Sequence, residues 1–167
     1  MVPQIYKVLT SGSGFLAVMA RPRSGEWLRD ELAGLSQIGV TTIASLLEPR
    51  EESELELASE GLVAAELGIA FLSFPIADRG VPSAARDFHA FTAQLAEDFR
   101  AGSGVVVHCR AGIGRSGLAA AAVLVSLGHQ SGDVFAMVSR ARGVSVPDTE
   151  EQIEWFRKNC SSISRGV

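Results

Sequence analysis

An α/β fold is predicted for this chain: a mostly parallel central sheet with helices on both faces, and a strand, a phosphate-sized loop and a helix meeting at one edge. Three observations lead there. Apolar runs of strand length alternate with longer stretches in which apolar residues recur at helical spacing, the pattern of strands joined by crossover helices. The run Val105-Val106-Val107 passes through a loop holding Gly112 and Gly114 into the alanine-rich stretch Leu118 to Leu127. The length of 167 residues suits one domain with a sizeable core, so residues 1–167 are read as a single unit.

Ile5 to Leu9 and Phe15 to Met19 read as two short strands joined by the turn-forming Ser11-Gly12-Ser13-Gly14. Trp27, Leu28, Leu32 and Leu35 share a helical face, with Ser24 the expected N-cap and Gly39 the stop. Val40 to Leu47 is a buried strand. The Glu-rich stretch Glu48 to Glu66 reads as helix broken near Gly61, and Gly68 ends it before the strand Ile69 to Phe74. Ser83 opens a helix whose Phe88, Phe91, Leu95 and Phe99 form a core stripe. Val105 to His108 is the central strand. Three helices complete the chain: the one after the loop, one from Asp133 to Arg140, and one from Thr149 to Lys158 with Trp155 and Phe156. Residues 1–34 carry no motif, and there are no repeats.

Nearly half the residues are hydrophobic (47%), yet no apolar run approaches the roughly 18–20 residues needed to cross a bilayer. Phe15 to Ala20 is too short for a signal-peptide core and lacks a basic lead, so a soluble cytoplasmic monomer is expected. The net charge of −4 argues against nucleic acid as a partner and against anchoring to an anionic membrane. Two cysteines, Cys109 and Cys160, make no disulfide framework, and three scattered histidines make no metal cluster. No metal and no cofactor is expected.

Chemistry can be read from His108 to Gly117. A glycine-bearing loop aims its backbone N–H groups inward, and the following helix adds its unpaired N-terminal donors, a ready cradle for a tetrahedral dianion. Cys109 sits at its floor, where the same donors favour a thiolate over a thiol. Arg115 closes the ring with a planar fork able to hold two phosphoryl oxygens. Ser116, next along, can donate its hydroxyl to the sulfur as it leaves. Arg110, Ala111, Gly112, Ile113 and Gly114 complete the loop with Arg115.

Cys109 to Ser116 resembles the Cys-x5-Arg-Ser/Thr signature of the protein tyrosine phosphatase superfamily, in its dual-specificity branch. Phe74-Pro75-Ile76-Ala77-Asp78-Arg79-Gly80-Val81-Pro82 resembles the general-acid loop of that branch, and is especially similar to that of the kinase-associated phosphatases of the cyclin-dependent kinase system. The likeness runs from about Leu35 to Phe156. It implies hydrolysis of phosphotyrosine, and of phosphoserine or phosphothreonine, in a protein or peptide substrate through a cysteinyl phosphate.

In that chemistry sulfur expels an alkoxide or phenoxide, whose oxygen needs a proton from a positioned carboxylic acid; Asp78, on a loop bounded by Pro75 and Pro82, is the candidate. Cys109 and Asp78 each follow the carboxyl end of a predicted strand, the edge at which such sheets bind ligands. The resemblance assigns His108 a bracing role behind the loop, its side chain on the opposite face of the strand from Cys109. Gln152 has two readings: in the family a glutamine here is held to orient the hydrolytic water, and with Thr149 it also fits a capping box. A phosphoinositide phosphatase and an RNA 5′-triphosphatase share the loop chemistry, although Ala111 and Ile113 leave only Arg110 as a basic side chain between Cys109 and Arg115. A phosphate-binding pseudoenzyme is the alternative from another class.

Overall fold

The computed structural model describes residues 2–163. Five strands, β1 (Tyr6–Ser11), β2 (Gly14–Met19), β3 (Val40–Ser45), β4 (Ala70–Ser73) and β5 (Gly104–His108), form one sheet in the order β1-β2-β5-β3-β4. The β1–β2 hairpin is antiparallel and every other pairing is parallel. Seven α-helices accompany them: α1 (Leu28–Gln37), α2 (Pro49–Glu54), α3 (Glu60–Glu66), α4 (Ala85–Arg100), α5 (Gly114–Ser126), α6 (Val134–Arg142) and α7 (Glu150–Asn159).

Strand alternation sorts the core into two layers. Leu16, Val18, Val105 and Val107 turn to one face, where they pack with residues of α4, α5, α6 and α7. Phe15, Ala17, Met19 and Val106 turn to the other, against Leu28, Leu32 and Leu35 of α1 and Ala64 of α3. The central strand β5 is buried along its whole length, as a strand covered on both faces must be. Helix α5 is buried from Arg115 to Ser126, and its run Ala119 to Ala122 lets neighbouring helices approach closely.

Four expectations are corrected. The Glu-rich stretch breaks between α2 and α3, over residues 55–59, and not at Gly61: Glu56 adopts a left-handed φ of 56°, and buried Leu57 donates its N–H back to Glu52 O at 2.7 Å. Gly61 lies inside α3 because the ring of Phe71 packs on it, and a Cβ would stand 3.0 Å from Phe71 Cδ2. Ser24 makes no side-chain cap; Gly25–Trp27 form one turn of 3-10 helix, and α1 begins at Leu28. Trp27, placed on the core stripe by its spacing, is 55% exposed. The helix expected from Ser83 begins two residues later, at Ala85.

Candidate active site

The phosphate-sized loop spans the turn from β5 into α5. At Gly112, φ is +73°, and a Cβ would lie 2.5 Å from both the carbonyl carbon and the oxygen of Met19, so glycine alone fits there. The loop is braced from outside at three carbonyls. Arg21 N–H donates to Arg110 O (3.1 Å), Arg142 Nη2 to Ala111 O (3.2 Å) and Arg142 Nε to Gly112 O (3.2 Å). Carbonyls held outward leave the amides of the turn facing inward.

Arg115, although charged, is only 1% exposed. Its guanidinium donates to Glu51 through both Nη1 (2.7 Å, to Oε2) and Nη2 (2.9 Å, to Oε1), to Ile76 O through Nη1 (2.8 Å), and to Asp78 Oδ1 through Nη2 (3.0 Å). Glu51, from α2, is buried too; its Oε2 also accepts Glu48 N–H in a capping box at the helix start. Burial alone would raise the Glu51 pKa, but the hydrogen bonds from Arg115 and the Glu48 backbone, with the charges of Arg115 and Arg110, hold it below its ordinary value. Burial works against the Arg115 cation, and the Glu51 hydrogen bond, with Cys109, Glu51 and Asp78 as negative neighbours, carries its pKa above the usual guanidinium value.

Asp78 arrives from the end of β4. Phe74 N–H to Ser45 O (2.9 Å) and Ile76 N–H to Leu46 O (3.1 Å) carry the chain beyond the strand, and a turn closed by Gly80 N–H to Ala77 O (2.8 Å) presents Asp78. Arg79 sits in that turn at φ 60°, and its Nη1 meets Asp148 Oδ2 at 2.9 Å. Gln152 Nε2 donates to Gly80 O at 3.0 Å, so the start of α7 holds the acid loop from two sides. Asp78, Arg79, Cys109, Arg110, Arg115 and Asp148 line one cavity of roughly 230 Å³ with Ala111, Ile113 and Gly114. The sequence-predicted cysteine, arginine and aspartate therefore meet, with Cys109 at 3% exposure.

The remaining candidates are distributed around that cavity. Ser116 is fully buried, and its Oγ has no hydrogen-bond partner among the described residues, Cys109 Sγ included. The His108 ring is on the sheet face away from Cys109, as expected, with Nε2 2.7 Å from Glu60 Oε1 and Nδ1 3.2 Å from Cys109 O. Gln152 completes the capping box: Thr149 Oγ1 accepts Gln152 N–H (3.1 Å), and Gln152 Oε1 accepts the N–H groups of Asp148 (3.0 Å) and Thr149 (3.2 Å). Both ends of its amide are thus engaged, and it does not line the cavity. Cys160 lines a different cleft, between α6 and α7. Among the described residues no three His, Cys, Asp or Glu side chains gather as a metal site.

Sequence reading missed Glu51, Glu60, Arg142 and Asp148. Each acts through partners about 30 to 70 positions away, which no local spacing announces. Glu51 alone left a trace, because Glu48 and Glu51 have the spacing of a capping box, with Pro49 between them at the helix start.

Residues 17–129 match the family described as "Polymorphic toxin system, DSP-PTPase phosphatase". Among solved structures, the chain is similar to the kinase-associated phosphatase with its catalytic-site cysteine substituted by serine (TM-score 0.86, 20% identity, covering 100% of this chain and 99% of that one). It is also similar to Tk-PTP in its active form (TM-score 0.79, 25% identity, 98% and 100% covered). A third similar structure is PTPMT1 in complex with PI(5)P (TM-score 0.74, 19% identity, 95% and 96% covered). Comparison with curated protein sequences gave no significant match.

Proposed function

Because the chain belongs to the DSP-PTPase phosphatase family of polymorphic toxin systems, in the dual-specificity branch of the cysteine-based phosphatases, we propose that it hydrolyses phosphotyrosine monoesters, with phosphoserine and phosphothreonine as further substrates, through a phosphorylated Cys109. The observation that carries this reading is the single cavity in which Cys109, Arg115 and Asp78 meet, with Asp78 3.0 Å from the arginine. Nucleophile, phosphate ligand and acid are the three parts that a metal-free displacement at phosphorus requires.

The steps follow from this arrangement. The four hydrogen bonds of Arg115 use both protons of Nη1 and both of Nη2, and Nε–H is the fifth. An entering phosphoryl group takes Nε–H and competes with Asp78 for one Nη2 proton, while Glu51 keeps the plane of the guanidinium fixed. The Cys109 thiolate then forms the S–P bond as the P–O ester bond breaks, and protonated Asp78 gives its proton to the leaving oxygen. In the second half water attacks phosphorus, the Asp78 carboxylate takes the water proton, and the S–P bond breaks to return thiolate and inorganic phosphate.

We read the chain as one phosphatase domain over residues 1–167, and its substrate as a phosphorylated protein or peptide. The test is a side-by-side assay of phosphopeptides, phosphoinositides and RNA 5′-triphosphate ends, in the presence of a metal chelator, with Cys109→Ser as control. Phosphotyrosine peptides are expected to turn over fastest, and Cys109→Ser to turn over none. Faster turnover of a phosphoinositide would move the assignment to lipid headgroups, the ligand class of the PTPMT1 complex.

A further inference from the structure

Beneath the phosphate loop, on the sheet face away from the cavity, two ionisable side chains are buried together. His108 ends β5 with its side chain 0% exposed, and Glu60 opens α3 with its side chain 2% exposed. Glu60 Oε1 lies 2.7 Å from His108 Nε2, and Glu60 Oε2 has no hydrogen-bond partner among the described residues. A carboxyl group so far from water is costly unless it serves the group it faces. The other ring nitrogen of His108, Nδ1, faces the carbonyl oxygen of Cys109 at 3.2 Å.

We propose that Glu60 is a positioning residue for catalysis, acting through His108 to hold the ring with its Nδ1–H on the Cys109 carbonyl and so to fix the peptide that carries the nucleophile. This inference rests on Cys109 being the nucleophile. A carbonyl oxygen only accepts, so the Nδ1 contact is a hydrogen bond only when Nδ1 carries the proton. Imidazole left alone is free to carry it on Nε2 instead, and what sits at the second nitrogen decides. Glu60 supplies that decision when ring and carboxyl together hold two protons; a neutral ring facing a carboxylate would carry its one proton on Nε2 and leave Nδ1 bare. As a carboxylate it accepts from Nε2–H of an imidazolium; as a carboxylic acid it donates to a bare Nε2. Nδ1 keeps its proton in both. With the Cys109 carbonyl pinned downward, and those of Arg110, Ala111 and Gly112 pinned outward by Arg21 and Arg142, the amides of the loop face the phosphate. Glu52 of α2 is the further acidic group that interacts with the pair. Burial raises the Glu52 pKa most and the Glu60 charge adds to the rise, while His108 works in the opposite direction.

The test pairs Glu60→Leu with Glu60→Gln. The Gln side chain can still donate to Nε2 and keep Nδ1–H in place; Leu cannot. Glu60→Leu is expected to lower kcat by roughly 10- to 100-fold, the scale of loss when a partner that orients a metal-ligating histidine is removed, with KM little changed. Glu60→Gln should recover most of that loss. Independently of any activity, ¹⁵N NMR of the imidazole, with the His108 signals identified by their loss in His108→Asn, should show Nδ1 protonated in the wild type and in Glu60→Gln. Gln and Leu variants that lose kcat equally, or a wild-type His108 with a bare Nδ1, would overturn the proposal. A wild type without phosphatase activity would instead refute the proposed function, and the NMR result would still decide on the pair.

Discussion

Arg115 makes four hydrogen bonds with five protons, and that arithmetic sets the first expectations at the scale of single residues. Asp78 competes with the incoming phosphoryl group for Nη2, and it adds a negative charge close to where a dianion must sit. Replacing Asp78 with Asn should therefore do two opposite things. On phosphotyrosine, whose phenolic oxygen needs a proton, kcat should fall by about 10²–10⁴-fold; on an activated aryl phosphate it should fall less. Orthovanadate should meanwhile bind more tightly, because one competitor for the arginine has lost its charge. Inhibition constants and kcat for two leaving groups check both halves. Glu51 gives a second expectation, in stability. Its pKa is lower in the folded state than its ordinary value of 4.5, so its contribution is fully present above that value and is lost as pH falls through the lower folded one. Melting temperatures taken between about pH 3 and 7 should therefore fall more steeply on the acid side for the wild type than for Glu51→Gln, which has no carboxyl to titrate. The variant should be less stable at neutral pH, since Arg115 loses its charged partner in a buried site.

At the scale of elements, the strand, loop and helix from Val105 to Ser126 were legible because everything that specifies them is local: an apolar run, glycine where the chain must turn, and a helix-forming stretch straight after. The break between α2 and α3 was not. It depends on a left-handed Glu56 and on Leu57 turning into the core, and Gly61, the residue that looked like punctuation, is a packing surface for Phe71. Trp27 misled for a related reason, since a helical spacing counts residues in a turn that is 3-10 and points outward. The start of α7 shows both sides. Thr149 and Gln152 were legible as a capping box, while the bond from Gln152 to Gly80, 72 residues away, was not. That bond leads to the third prediction. Gln152→Ala should destabilise the protein by about 1 kcal/mol through the lost cap and lower kcat by loosening the acid loop, without a pre-steady-state burst of the leaving group. A burst would show slow hydrolysis of the phosphoenzyme and assign Gln152 to the water instead.

On the scale of the whole molecule, one sheet separates two layers with different tasks. The layer of α4, α5, α6 and α7 holds most of the core, and the layer with α1 and α3 backs the strands and delivers Glu60 beneath the loop. Helix α5 links core to chemistry: its first residues hold the phosphate loop, and its fully buried alanines fix how close α4 and α6 come. Ala120→Leu should therefore cost about 1–3 kcal/mol by overpacking, read as a lower midpoint in urea, and should reduce activity only through the fraction folded. The two-layer plan was readable because strand alternation and helical spacing are properties of neighbours along the chain. The polar contacts that complete the site join α2, α3 and α7 to the loops across the fold, and only three dimensions bring those residues together.

The most direct test of the account is to catch the phosphoenzyme. Acid quench of the protein during turnover of a phosphotyrosine peptide, followed by digestion and mass analysis, should find one phosphate on the peptide that contains Cys109, and none in Cys109→Ser. Turnover with phosphate on another residue, or turnover that persists in Cys109→Ser, would contradict it.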